Sequence, residues 1–425
     1  MRSFTILTIV VAAAGLALPA LAELQEVTVG GQLRIRGNVY EWEDSLRDSA
    51  FVEARTRLSV SSHFTDDVAA FIEFDSYDIW GEDFRSNYVT GLDGRAVTGD
   101  DVEIYQAYID AQEMWGAPLR LRVGRQEIAL GNQWLVGVND SSSLFTGLSF
   151  DALRLTYATD MVSVDAIAAK LAETLDDFGD GDADLYGLYG SYLGIEDVVF
   201  DLYWLFVRDD TGFVGNDADL HTVGLRAAGV VGGFDFDAEA ARQFGGIEWA
   251  LGEYDYEQWG ANLEAGYTFD VSWQPRVYLG FAYLGGEEKG LGFNRLFSNV
   301  EYTEFLANTD LSNALVYRAG LGVMPTECLD LGLDLYYIVT DAQMTHGWFL
   351  GWWTEGGEDA NGLETNLHAT YHYTEDLAFR AGWAHFFTDA GVEEGNFVTG
   401  NGLLRFVADE DDDYDYLYLE TELSF

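Results

Sequence analysis

One cysteine, four prolines and two lysines occur in 425 residues. The lone Cys328 excludes an intrachain disulfide framework and reads as a small residue beside a turn. Scarce proline suits long unbroken strands, because proline donates no hydrogen bond to a sheet ladder. Beyond residue 22, no apolar run approaches the roughly 18 residues that a spanning helix needs. Basic residues are few: 22 against 73 acidic, a net charge of −51. Such a chain is not expected to seek nucleic acid. It also lacks Gly-x-Ser-x-Gly, His-Glu-x-x-His and a phosphate-binding loop. Of six histidines, only His368 and His372 are close in sequence, and on a strand they stand about 13 Å apart, too far to share a metal. No enzyme and no cofactor are therefore expected.

What is abundant points elsewhere. Aromatics make up 15% of the chain, with 47 glycines. A transmembrane β-barrel needs such aromatics for its outer band and its girdles, and glycines serve turns and bent strands. The first 22 residues read as a secretory signal: Arg2, the apolar stretch Phe4 to Leu18, and Ala20-Leu21-Ala22 as a small-x-small cleavage site, with the mature chain expected from Glu23. Pro19 and the cleavage site argue against the rival reading, a membrane-anchoring helix.

Period-2 alternation marks half-buried strands. Strong examples are 26–40, 51–64, 67–80, 119–130, 151–159, 198–207, 276–285, 329–339 and 377–387. Short turns are expected near 65–67, 114–118, 159–161, 194–197, 231–233, 270–273, 324–328 and 374–376. Longer polar stretches separate them, near 41–50, 80–101, 131–149, 172–183, 209–218, 245–256, 287–313, 341–361 and 388–413. Eight short connections alternating with nine long ones predict an all-β, antiparallel transmembrane barrel of about eighteen strands, sixteen being the alternative. The short turns would be periplasmic and the long loops extracellular. Residues 23–425 form one domain. In the last stretch, "YDYLYLETELSF", Leu417, Leu419, Thr421, Leu423 and Phe425 share one face, while Tyr416, Tyr418, Glu420 and Glu422 share the other. It reads as the closing strand, and its terminal Phe425 resembles the signal read by the barrel-assembly machinery.

Twenty arginines outnumber the lysines tenfold, and many sit inside strands. At the bilayer midplane a lipid-facing arginine costs about 2–4 kcal/mol, so these must face a wet interior. The expected lumen path is Arg34, Arg36, Arg55, Arg57, Arg122, Arg125 and Arg154, with Glu73, Asp75 and Asp110 as opposing carboxylates. Two readings stay open. One is a satisfied charge ladder that holds the wall. The other is an electrostatic path for an anionic solute. Arginine favours bidentate carboxylate contact in both. The acidic blocks at 176–184 and 409–413 read as solvated loop tips, with divalent-cation binding as the alternative; the stretch from Asp180 lacks the position-6 glycine and position-12 acid of a calcium loop.

The stretch "RVGRQEIALGNQWLVG" followed by "SFDALRLTY" resembles the alginate-export family of outer-membrane porins. The matching residues are Gly124-Arg125-Gln126, Leu135-Val136-Gly137, Phe150-Asp151 and Arg154. The resemblance implies passive export of an anionic polysaccharide through an arginine-lined lumen. The chain departs at Trp134 and at Leu148-Ser149, where members often carry basic residues. Gly124 breaks the alternation, and a bulge there would return Arg125 to the lumen. Stretches 80–101 and 131–149 are the candidates to fold inward and narrow the channel. The expected function is an outer-membrane porin for a hydrophilic, anionic solute. The alternatives are a general or cation-preferring porin with acidic outer loops, and a loop-plugged structural or adhesive barrel. Expected partners are outer-membrane lipid, lipopolysaccharide, the assembly machinery and the solute; the sequence leaves oligomeric state open.

Overall fold

The computed structural model describes residues 24–42, 48–81, 102–140, 145–173, 181–211, 217–249, 252–287, 292–304, 311–342, 360–393, 398–399, 404–405 and 413–425. The expected signal segment, most of both acidic blocks and nearly all of 80–101 lie outside these residues. The strands are β1 (Glu26–Trp42), β2 (Ser49–Thr65), β3 (Val68–Ile79), β4 (Val102–Ala111), β5 (Leu119–Gln126), β6 (Phe150–Ala158), β7 (Val162–Glu173), β8 (Asp182–Ile195), β9 (Val198–Asp209), β10 (Asp217–Val231), β11 (Phe234–Trp249), β12 (Gly252–Thr268), β13 (Arg276–Leu284), β14 (Ala314–Thr326), β15 (Leu329–Thr340), β16 (Ala360–His372), β17 (Leu377–Thr388) and β20 (Tyr414–Ser424). Between the last two lie a helical turn, α1 (Ala390–Glu393), and a separate hairpin of β18 (Val398–Thr399) and β19 (Leu404–Arg405).

Each barrel strand pairs antiparallel with its neighbour in sequence, and β20 pairs with both β17 and β1. Eighteen strands thus close a ring with no free edge, which satisfies every ladder group inside a bilayer. Sixteen is excluded. Phe425 completes the seam, exchanging backbone hydrogen bonds with Gly31 at 2.9 and 3.0 Å.

Three boundaries differ from expectation, the first being β5, which ends at Gln126 rather than near 130. Residues 245–249 and 252–256 are strand rather than loop: β11 and β12 stay in register up to Trp249↔Gly252. Asp182 and Asp184, expected in a loop, open β8.

The pleat sorts the two faces. On β20, Tyr416, Tyr418 and Glu420 are buried inward while Leu417 and Leu419 are exposed outward. Ile109, Leu202, Leu225 and Leu279 likewise stand on the outer wall. In water that surface would forfeit about 25 cal/mol per Å² of apolar area; against acyl chains it costs nothing. Outward aromatics gather in bands. Tyr186, Trp204, Phe206, His221 and Phe244 stack in sequence around the long-loop side, with Phe206 and His221 centroids 4.3 Å apart. Tyr267, Phe269, Trp273 and Tyr373 mark the short-turn side. Such paired girdles sit at the two membrane interfaces.

Candidate solute path and its two inward loops

Arginines of β1 and β2 lie in facing register, Arg34 opposite Arg55 and Arg36 opposite Glu53. On the other side of β1, Arg36 faces Glu420 of β20. The pleat turns all four guanidinium groups inward, as expected. Each meets carboxylates: Arg34 Nε lies 3.0 Å from Glu420, Arg36 Nε 3.0 Å from Glu53, and Arg57 Nε 2.8 Å from Asp75 and 3.5 Å from Glu73.

The loop following β5 then covers them. Its Asp140 carboxylate accepts from Arg34 Nη1 at 3.0 Å, Arg55 Nη1 at 2.9 Å and Arg57 Nη1 at 2.9 Å. The Phe145 ring lies 4.7 Å from the guanidinium carbons of both Arg34 and Arg36. Arg55 and Arg57 also donate to the backbone oxygens of Phe145 and Thr146. Gly147 lets the loop pass this close: its φ is +80°, and a Cβ there would strike Arg57 Nη2. No side chain among Arg34, Arg36, Arg55 and Arg57 is more than 9% exposed. Of the two readings of the arginines, these four fit the satisfied charge ladder: they are directed inward, and Asp140 and Phe145 cover them.

Arg122 stays on the open wall. With Arg120 it shares Asp110, and its guanidinium lies 4.1 Å from the Tyr108 ring. Arg154 pairs in bidentate fashion with Asp165 at 2.9 Å. Arg226, Arg276 and Arg380 repeat the pattern with Asp201 and Asp237, with Asp235 and Glu264, and with Glu420 and Glu422. Arg120 is the most open of these, with 42% of its side chain exposed.

For Arg125 the expectation is corrected. β5 keeps unbroken register through Gly124 on both sides, so no bulge turns Arg125 inward. It shares the outer face with Val123 and pairs with Asp151 at 2.9 Å, its side chain 43% exposed. The cost that seemed to forbid this applies at the midplane. Arg125 is the penultimate residue of β5, near the long-loop rim, where the cost falls to about 0–1 kcal/mol. Gly124 has another role: at φ +127° it brings β5 so close to β4 that a Cβ would strike the Ala107 carbonyl. The register shift that does occur lies one strand away, between Glu73 and Phe74 of β3 opposite β4, and there Tyr105 and Gln106 are both buried.

The described parts of 131–149 fold inward as expected, and residues 292–304 join them, which sequence reasoning did not single out. Backbone hydrogen bonds weld the two: Gly137 N to Phe297 O, Phe297 N to Leu135 O and Asn299 N to Gln133 O, at 2.8–2.9 Å. The fully buried Trp134 stacks on Phe293 at 5.3 Å, and its indole N–H donates to Tyr302. This seam packs with Leu185, Tyr203, Leu205, Val316 and Ile338 of the wall in one apolar core inside the barrel. Trp134, a departure from the family pattern, is thus an anchor of that core.

Residues 25–402 match the model of a family described as alginate export. The chain belongs to that family. No curated protein matches it. Among solved structures it is similar to OpdO of Pseudomonas aeruginosa, at 10% identity and TM-score 0.62 over 95% of this chain and 98% of that one. It is similar to OccAB4 of Acinetobacter baumannii, at 12% identity and TM-score 0.62 over 95% and 99%. It is also similar to OpdK of Pseudomonas aeruginosa, at 13% identity and TM-score 0.57 over 93% and 99%. At these identities the likeness is one of fold. This member of the alginate-export family is a channel of the bacterial outer membrane rather than an enzyme.

Proposed function

We propose that this porin conducts a hydrophilic, anionic, polysaccharide-like solute by passive diffusion, and that the solute is handed along the partly open guanidinium groups of Arg120, Arg122, Arg154, Arg276 and Arg380. The observation that carries this reading is their distribution. They stand on β5, β6, β13 and β17, spread around the inner wall, and each keeps part of its side chain open beside a carboxylate partner. A solute carboxylate can add to the open edge of such a guanidinium while its wall carboxylate stays in place, because guanidinium carries five N–H donors. Selectivity then comes from charged side chains lining the lumen. The family's description supports the substrate class, and the OpdK structure, similar in fold, was solved with vanillate, itself a carboxylate.

The test is current through the purified channel in a planar bilayer with oligouronates on the short-turn side. Interruptions that grow with chain length are expected, and Arg122→Ala with Arg154→Ala should shorten them several-fold. A second reading, a cation-preferring porin, is favoured by the carboxylate standing beside each of these guanidinium groups. Oligouronates that leave the current untouched, with a cation-selective reversal potential, would decide for it.

A further inference from the structure

Beside the second inward loop lies a cavity of about 410 Å³ lined largely by acceptor groups. Its lining includes Glu301, Glu304, Asp334, Asn366, Tyr336 and Tyr418. The loop is pinned there by Glu364 of β16, fully buried, which accepts from the Glu304 backbone N–H at 2.9 Å, from the Thr303 hydroxyl, and from Asn366 Nδ2 at 2.8 Å. That last bond fixes the Asn366 amide. Its Oδ1 is left with no hydrogen-bond donor among the described residues, although the side chain is more than nine-tenths buried on the cavity wall.

A buried carbonyl oxygen without a donor is destabilising until something fills it. Glu304 Oε2 is in the same condition. The one guanidinium on the lining, Arg380, is held by Glu420 and Glu422. The cavity thus presents unfilled acceptors and negative charge, and asks for a donor-rich cation. A metal ion does not fit, since no cluster of three or more ligating side chains with metal geometry exists among the described residues.

We propose that this cavity is a binding site for an organic cation: a primary ammonium or guanidinium group on a hydrophilic solute. The N–H donors would go to Asn366 Oδ1, Glu304 and Asp334, and Tyr336 and Tyr418 would supply ring faces for the carbon skeleton. Asp334 is preset for this by Tyr278, whose hydroxyl donates to Oδ1, with His368 3.2 Å from Oδ2. Titration supports the geometry. Burial, with Glu301 on the same loop and Glu364 on β16, pushes the Glu304 carboxyl up to about 8, against the pull of Arg36 on β1; Asp334 on β15 adds to the rise. A bound cation stabilises the ionised form, so binding releases a proton and tightens as pH rises through 8. The proposal goes beyond the conduit function and does not depend on it.

The experiment uses the full channel in planar bilayers, with a 6-aminohexyl glycoside as probe, whose alkylammonium stays protonated through pH 9, and its N-acetylated counterpart as the neutral control. The amine should interrupt the current, the acetylated sugar should not, and the interruptions should lengthen from pH 6 to pH 9. Asp334→Asn and Asn366→Ala should each shorten them about tenfold. Glu301→Gln, outside the strands, does the same work if a wall variant fails to fold. Equal interruption by both sugars, or by the amine in wild type and all folded variants alike, overturns the site. Oligouronate interruptions in the same variants report on the conduit separately.

Discussion

Two walls of one barrel hold their loops by opposite means. On the β1–β2 side the inner face is arginine, and the first inward loop is fastened by one carboxylate, Asp140, shared among three guanidinium groups. On the β8–β9 and β14–β15 side the inner face is Leu185, Tyr203, Leu205, Val316 and Ile338, and the same loop is fastened by apolar burial and by backbone bonds to its partner loop. The pleat and the hydrogen-bond ladder are the same on both. The difference lies in which side chains the inward positions carry, and it divides the lumen into a polar path and a dry support. An ionic fastening can be traded for another anion. A packed seam cannot be traded, so it fixes where the path runs.

The comparison breaks most visibly at Trp134. Trp134→Ala removes a fully buried indole, its stack on Phe293 and its bond to Tyr302. Large-to-small changes of this kind cost about 3–5 kcal/mol. The cost should fall on the loop seam and leave the strand ladder intact. Heat-modifiable migration of the folded barrel should persist, while single-channel conductance rises and becomes noisy. Unchanged conductance would mean that the seam does not narrow the path.

The smallest effect is expected on the outer wall. Arg125→Ala breaks an exposed pair with Asp151, worth at most about 1 kcal/mol. Conductance, selectivity and oligouronate interruption should all match wild type. A loss of anion interruption in this variant would place Arg125 in the path after all.

Much of this was legible beforehand. Alternation and turn chemistry gave the ring and its strand number, because lipid outside and water inside impose a strict period of two. The inward direction of Arg34, Arg36, Arg55, Arg57, Arg122 and Arg154 followed from the cost of placing charge in lipid. The same reasoning failed for Arg125 because it carried no depth: a residue at the strand rim escapes the penalty. The β11–β12 hairpin resembles a loop in sequence because Gly245, Gly246 and neighbouring acids carry turn chemistry, yet Gly245 and Gly246 pair in register with β12. Asp140 was missed because carboxylate partners were sought on strands, where register can be reasoned, and a loop has none. The second inward loop did carry a signal. Phe293, Leu296, Phe297 and Tyr302 are more apolar than a solvated extracellular loop requires, and all but Leu296 and Phe297 are fully buried.

The central claim is that one loop carboxylate, Asp140, is shared by three arginines beside the proposed path. Reversal potential in a salt gradient, compared between wild type and Asp140→Asn, tests it most directly. Without that carboxylate, Arg34, Arg55 and Arg57 lose their shared partner, and the anion-to-cation permeability ratio should rise several-fold. A ratio equal to that of wild type, in a variant that folds and conducts, would contradict the account.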